Sequence, residues 1–224
     1  MLNSYRAVLF DLDGTLVDHS NAARAGVIAW SQELGIPPDP ARWQALEQQW
    51  FLAYEHGKLT HSGQRAARVR EYLHEPKLSE TAALQLFDGF LHQYIASMQP
   101  FSGAAEVLEQ CFDCGQLVGI ATNGAASLQT TKLRTTGLWD DRLIMLAAVE
   151  MEAAKPNPEF YTRALNIVGT APADTIMVGD TLPNDVLAPI AAGIAAIHVD
   201  HAGTSTTDPR YPTIRDLSEL LNAP

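Results

Sequence analysis

Arg6-Ala-Val-Leu-Phe10, followed at once by Asp11-Leu-Asp13-Gly-Thr15, is the stretch on which the fold turns. The apolar run stops abruptly at a carboxylate and then enters residues that favour turns. Four later runs repeat the design: Leu117-Val-Gly-Ile-Ala-Thr122, Leu143-Ile-Met-Leu-Ala-Ala148, Thr175-Ile-Met-Val178 and Ile194-Ala-Ala-Ile-His-Val199. Continuous short apolar runs bounded by polar residues or Gly suit strands buried on both faces of a parallel sheet. The residues between them carry helical periodicity. Over 103–113, Ala104, Val107, Leu108 and Cys111 share one face, and 125–136 and 159–168 behave similarly. Asn157-Pro158 supplies an N-cap and a proline for the first helical position. Strands alternating with helices predict an α/β, Rossmann-like, doubly wound parallel sheet.

The alternation breaks once. Between Val17 and Gln99 the sequence offers no convincing strand, only helical stretches rich in Ala, Gln, Arg and aromatics. Asp39-Pro40 opens one helix and Gly57 closes it, with Trp43, Leu46, Trp50 and Tyr54 at helical spacing between. A structureless loop of that length is improbable. The expected organisation is a core of residues 1–17 and 99–224, interrupted by an α-helical insert over 18–98.

The whole chain has 224 residues, which allows one large domain or one domain with a smaller insert. With 46% apolar and 18% charged residues it can bury a core and does not read as disordered. A formal charge of −11 argues against a sequence-independent nucleic-acid binder, which needs clustered Lys and Arg. No stretch reaches the ~18 consecutive apolar residues of a membrane span. The longest candidate, Val186 to Val199, is broken by Pro189 and Gly193 and contains His198. No signal peptide is visible and two cysteines build no disulfide framework, so a soluble cytoplasmic protein is expected, of open oligomeric state.

Ligands of open parallel sheets bind beyond the carboxyl ends of the strands. The first strand ends in Asp11-Leu-Asp13-Gly-Thr15 and the second in Thr122-Asn123-Gly124. The loop after the third holds Lys155-Pro156, and the fourth ends Gly179-Asp180-Thr-Leu-Pro-Asn184-Asp185. Asp11, Asp13 and Asp180 gathered on one rim would raise one another's pKa unless a cation compensated. Mg²⁺, a hard cation that takes oxygen ligands and bridges to phosphate, meets that need. Lys155 adds a second positive charge. Carboxylates, a metal and a lysine, without thiolate or histidine ligands, point to phosphoryl chemistry.

In that order and at those strand ends, DLDGT (11–15), TNG (122–124), KP (155–156) and GDTLPND (179–185) resemble the four motifs of the haloacid dehalogenase superfamily. The resemblance spans essentially the whole chain, because the helical insert falls where capped members carry theirs. It implies a Mg²⁺-dependent phosphatase acting on a small soluble phosphomonoester. Asp11 would be the nucleophile, forming an aspartyl-phosphate, and Asp13 the acid and base. Thr122, with backbone N–H groups around Asn123 and Gly124, would bind phosphoryl oxygens, and Lys155 would neutralise charge. The resemblance implies metal ligation by Asp11, the Asp13 backbone carbonyl and Asp180, with Asp185 orienting Lys155 or metal-bound water. Dehalogenases of the superfamily lack a counterpart of Asp13, which places this chain with the phosphatases or phosphomutases, and its motifs are similar to nucleotidase-like and sugar-phosphatase-like members.

A phosphomutase, a phosphonate-cleaving enzyme using Lys58 or Lys77, and a catalytically silent binding module are the alternatives. Other signals are weaker. Cys111 and Cys114 form a CxxC but read as small buried or half-buried residues. Trp43, Trp50 and Tyr54 read as the core of the insert. Arg65 and Arg68 share a helix face with Arg70 nearby, as an anion contact or as a solvated basic face. His19 reads as a surface histidine, and His198 and His201 carry no assignment.

Overall fold

Burial on both faces makes a strand of Ala7–Phe10: all four residues are inaccessible to solvent. The structure, a computed structural model, describes residues 1–204 and 208–221. In chain order, and leaving aside single 3-10 turns, β1 (Ala7–Phe10) precedes α1 (His19–Glu33), α2 (Pro40–Glu55), α3 (His61–Tyr72) and α4 (Glu80–Ala96). Then follow α5 (Ala104–Asp113), β2 (Leu117–Thr122), α6 (Ala126–Thr135), β3 (Ile144–Ala147), α7 (Ala148–Met151) and α8 (Pro158–Val168). β4 (Thr175–Gly179), a π-helical segment (Leu182–Leu187), α9 (Ala188–Ala191), β5 (Ala195–Val199) and β6 (Thr213–Ile214) complete the order.

The chain forms two compact units, Met1–Asp18 with Pro100–Pro224, and His19–Gln99. In the first, the strands form a sheet of order β3-β2-β1-β4-β5-β6, parallel throughout. β1 lies inside it, with Phe10 registered against Ile120 of β2 and Val178 of β4. That register brings the residues following β1, β2 and β4 to one edge. Leu9, Ala121, Leu146 and Met177 of the strands pack with Phe160, Tyr161 and Ala164 of α8. The caps behave as their chemistry requires: the Asn157 side chain accepts from the Glu159 N–H at 3.0 Å.

Two details depart from the sequence expectation. Ala148 opens α7 instead of extending β3. β6 is a two-residue strand paired with β5, too short to carry a hydrophobic period. Cys111 is buried, and burial with the neighbouring Cys114 pushes its thiol up to about 12, which removes nucleophilic character. Cys114 is exposed, not buried or half-buried, because it sits at the C-cap of α5. Among the described residues, no helix is long and apolar enough to cross a membrane.

The second unit is a bundle of α1–α4 around aromatic rings. Trp43 stands 4.5 Å from Phe90, 5.1 Å from Tyr72 and 5.3 Å from Trp30, centroid to centroid. The stripe on α2 thus fills the core at Trp43 and Leu46, then grades outward to the half-buried Trp50 and Tyr54. Asp39 caps α2 by accepting from the Arg42 N–H at 3.0 Å, and Gly57, at φ +68°, follows its end.

Arg68 overturns the solvated-face expectation. It is 3% exposed and donates to Glu47 at 2.7 Å and Gln64 at 3.1 Å. Its charged partner, Glu47, comes from α2, so neighbours within α3 gave no hint of the ion pair. Arg70 is half-buried and donates to the Leu78 carbonyl. His19 is likewise no ordinary surface residue: its ring nitrogens meet Tyr94 at 2.6 Å and Glu47 at 3.1 Å. Burial would raise the Glu47 pKa, but Arg68 and His19 outweigh it and hold this carboxyl well below the usual range.

Truncating the ring at the centre of this bundle, Trp43→Ala, should destabilise the protein by about 3–5 kcal/mol. Urea unfolding followed by far-UV circular dichroism checks this, and a loss below about 1 kcal/mol would show that the ring cluster does not carry the unit.

Candidate active site

Asp11 is fixed where β1 ends, its N–H donating to the Val178 carbonyl at 2.9 Å. The chain then turns sharply through Gly14, whose φ of +95° disfavours any side chain. Space demands glycine here as well, since a Cβ would fall 2.3 Å from an Asp180 carboxylate oxygen. The turn thereby presses the Asp11–Thr15 loop against the end of β4, and the Thr15 hydroxyl donates to Asp180 at 3.3 Å.

Lys155 joins the strand ends from the other side. Its buried ammonium donates to Asp11 at 2.8 Å, to Asp185 at 2.6 Å and to the Ala121 carbonyl at 2.7 Å. Asn123 grips the lysine's backbone with both ends of its amide: Oδ1 accepts from the Lys155 N–H at 2.7 Å, and Nδ2 donates to the Lys155 carbonyl at 2.8 Å. The side chain of Asn123 is therefore a brace for Lys155. Asp185 arrives on the π-helical segment, with its other oxygen accepting from the Thr181 N–H at 3.0 Å. Gly179 makes room for it, because a Cβ there would lie 2.4 Å from that of Asp185.

Thr122 lies between two donors. Its hydroxyl oxygen accepts from the Gly124 N–H at 3.1 Å and from the Gln129 amide at 2.5 Å. Asp13 turns away from the Lys155 group: Lys132 of α6 donates to its two carboxylate oxygens at 2.6 and 2.5 Å, and Gln129 adds a bond at 3.1 Å. The structure thus gathers Asp11, Lys155, Asp180 and Asp185 into one group and Asp13, Thr122, Gln129 and Lys132 into another beside it.

Sequence reading missed Gln129 and Lys132. The available signal was two polar residues, three apart, on the face of 125–136 that turns toward the core. It also gave no place to two histidines. His198 faces the Asp180 carbonyl at 3.1 Å, and His201 faces the Thr15 carbonyl at 3.1 Å while stacking on Phe101. Each braces the backbone of a strand-end loop.

The charge balance of the first group is its main property. One ligand oxygen from each of Asp11, Asp180 and Asp185 can be chosen such that all lie within 4.8 Å of one another. Burial and the other two carboxylates hold the Asp11 pKa well above its usual value despite Lys155. Burial and Asp185 push Asp180 up to about 6. Burial alone would discharge Lys155, but Asp11 and Asp185 outweigh it and keep the ammonium charged. Three carboxylates thus share one ammonium, and the remaining negative charge calls for a cation. An all-oxygen donor set without thiolate or imidazole fits a hard dication such as Mg²⁺.

A family model for haloacid dehalogenase-like hydrolases matches residues 5–193. The chain is 28% identical to a ribulose-1,5-bisphosphate 5-phosphatase from Halopiger xanaduensis, over 87% of this chain and 84% of that one. In fold it is similar to the magnesium-bound HAD-hydrolase YfnB of Bacillus subtilis, with TM-score 0.84, 22% identity and 96% of each chain covered. The defluorinating L-2-haloacid dehalogenase Rha0230 shares the fold with TM-score 0.77 and 21% identity, covering 96% of this chain and 93% of that one.

Because the folded protein holds the Asp180 proton more tightly than an unfolded chain would, its metal-free stability falls as pH rises from about 4 through about 6, and the raised pKa of Asp11 acts in the same direction. Mg²⁺ should therefore raise the melting temperature more at about pH 7.5 than at about pH 5. Asp180→Asn should shrink that gain without lowering the metal-free melting temperature at the higher pH. Equal gains at both pH values, or an unchanged gain in the variant, would contradict the cluster as a cation site.

Proposed function

The chain belongs to the haloacid dehalogenase-like hydrolases, and from that membership we propose that it is a Mg²⁺-dependent phosphatase of small soluble phosphomonoesters. One observation carries the reading. The carboxylate paired with Lys155, Asp11, is followed two residues later by a second carboxylate, Asp13, which stands outside the Lys155 group. A nucleophile alone suffices to displace a halide, which leaves without a proton. An alkoxide leaving group needs one, and in the proposed reaction that role falls to Asp13.

In the proposed reaction Asp11 attacks phosphorus and the bond from phosphorus to the alcohol oxygen breaks, the alcohol leaving with the proton of Asp13. Water then attacks the aspartyl-phosphate, its proton passes to Asp13, and Asp11 and inorganic phosphate are released. Thr122 takes a hydrogen bond at each lone pair, which turns its own O–H outward as a donor for a phosphoryl oxygen. Backbone N–H groups around Asn123 are the further donors assigned to phosphate, the Gly124 N–H being engaged by Thr122. Lys155 aims Asp11 and opposes the burial that raises its pKa, and Asp185 and Asn123 keep Lys155 in place. Bound Mg²⁺, held by Asp11, Asp180 and the Asp13 backbone carbonyl, would offset charge on the phosphoryl group. The sugar bisphosphate named for the Halopiger relative makes sugar phosphates the first substrate class to examine, with nucleoside monophosphates beside them.

Phosphate release from a panel of sugar phosphates, nucleoside monophosphates and an aryl phosphate tests the proposal. Release should require Mg²⁺, stop with chelator, and fall to background in Asp11→Asn, whose fold should persist. Release that survives in that variant, or none from any panel member, would overturn it.

A further inference from the structure

We infer that Gln129 and Lys132 of α6 are positioning residues for Asp13, coupling its carboxylate to the phosphate-binding hydroxyl of Thr122. The inference rests on the phosphatase reading and adds to it two residues that none of the four motifs contains. Three observations carry it. Lys132 is 3% exposed and places its ammonium within 2.6 Å of each Asp13 oxygen, so it fixes the plane of the carboxylate as well as its location. Gln129, 1% exposed, bonds through one amide nitrogen to both Asp13 and Thr122. Its carbonyl oxygen is buried without a hydrogen-bond partner.

That orphaned oxygen argues against a merely structural role. A buried acceptor left unpaired costs about 1–3 kcal/mol, and an apolar residue at 129 would avoid the cost. The Lys132 ammonium, buried on the packed face of α6, is tolerable only because Asp13 pairs with it. The face is otherwise suited to core packing, since Leu133 beside them is fully buried. What the two polar side chains gain in return is a fixed relation between the Asp13 carboxylate and the phosphoryl site. Because they stand three apart on one helix, a single rigid element holds both.

Asp13 matters most when the leaving group is poor. Misplacing it should therefore slow alkyl phosphates more than nitrophenyl phosphate, whose leaving group departs without a proton. The quantity to compare is kcat/KM, which reports steps up to formation of the phospho-enzyme. In Lys132→Met the ratio of kcat/KM for a sugar phosphate to that for nitrophenyl phosphate should fall by about tenfold or more. Gln129→Met should lower the ratio in the same direction, and Lys132→Arg should restore part of it. Asp13→Asn is the reference for complete loss.

Equal losses on the two substrates, or no loss, in variants whose circular dichroism matches the wild type would overturn the inference while leaving the phosphatase reading intact, provided Asp13→Asn shows the selective loss. If Lys132→Met does not fold, Gln129→Met and Lys132→Arg decide the question by the same ratio. A wild-type protein without turnover on either substrate would overturn both readings together.

Discussion

The ammonium of Lys155 is the point on which the site depends. It binds the carboxylates that follow β1 and β4 and a backbone carbonyl of β2, so it ties three neighbouring strands together at their carboxyl ends. Removing it would leave two buried carboxylates facing each other without compensation, and a charge stripped of its partner is among the costliest defects a core can hold. Much of the surrounding structure serves this one group. Asn123 clamps its backbone, the π-helical segment delivers Asp185 to it, and Gly179 exists as glycine to let Asp185 approach. One lysine still does not balance three carboxylates, and that deficit suits the same cluster to hold a dication.

Sheet topology explains how residues so distant in sequence meet. With order β3-β2-β1-β4-β5-β6 and all strands parallel, β1 is flanked by β2 and β4, and the connections diverge to either side of it. In open parallel sheets such a switch point opens a crevice at the carboxyl ends of the strands. Asp11 occupies that crevice from the central strand, and each neighbour adds one chemical type: a hydroxyl from Thr122, a carboxylate from Asp180. The second carboxylate of the first loop, Asp13, faces α6 instead. The fold therefore separates a charged group built around Lys155 from a second group built around Asp13, Lys132 and Gln129.

How much of this was legible followed from the range of the interactions. The strands were readable because burial on both faces leaves an uninterrupted apolar run, and the helical unit because Trp43 and Leu46 keep a helical period. The motif residues were readable because turn chemistry and carboxylates fall at strand ends. Contacts that cross between elements were not. Arg68 looks like a surface arginine until Glu47 from another helix neutralises it, and His198 and His201 act on carbonyls, which any residue supplies. Gln129 and Lys132 were hidden for a related reason: periodicity counts apolar residues, and these are polar residues on an inward face. β6, at two residues, has no pattern to read.

The central claim is that phosphorus becomes bonded to Asp11. The most direct test is to quench the enzyme with acid during turnover of a phosphomonoester, digest it, and map any phosphoryl adduct by mass spectrometry. The account predicts an adduct on the peptide carrying Asp11, labile to hydroxylamine as an acyl phosphate is, and more abundant in Asp13→Asn than in the wild type. Turnover with no adduct on that peptide in either protein, or an adduct on a different residue, would contradict it.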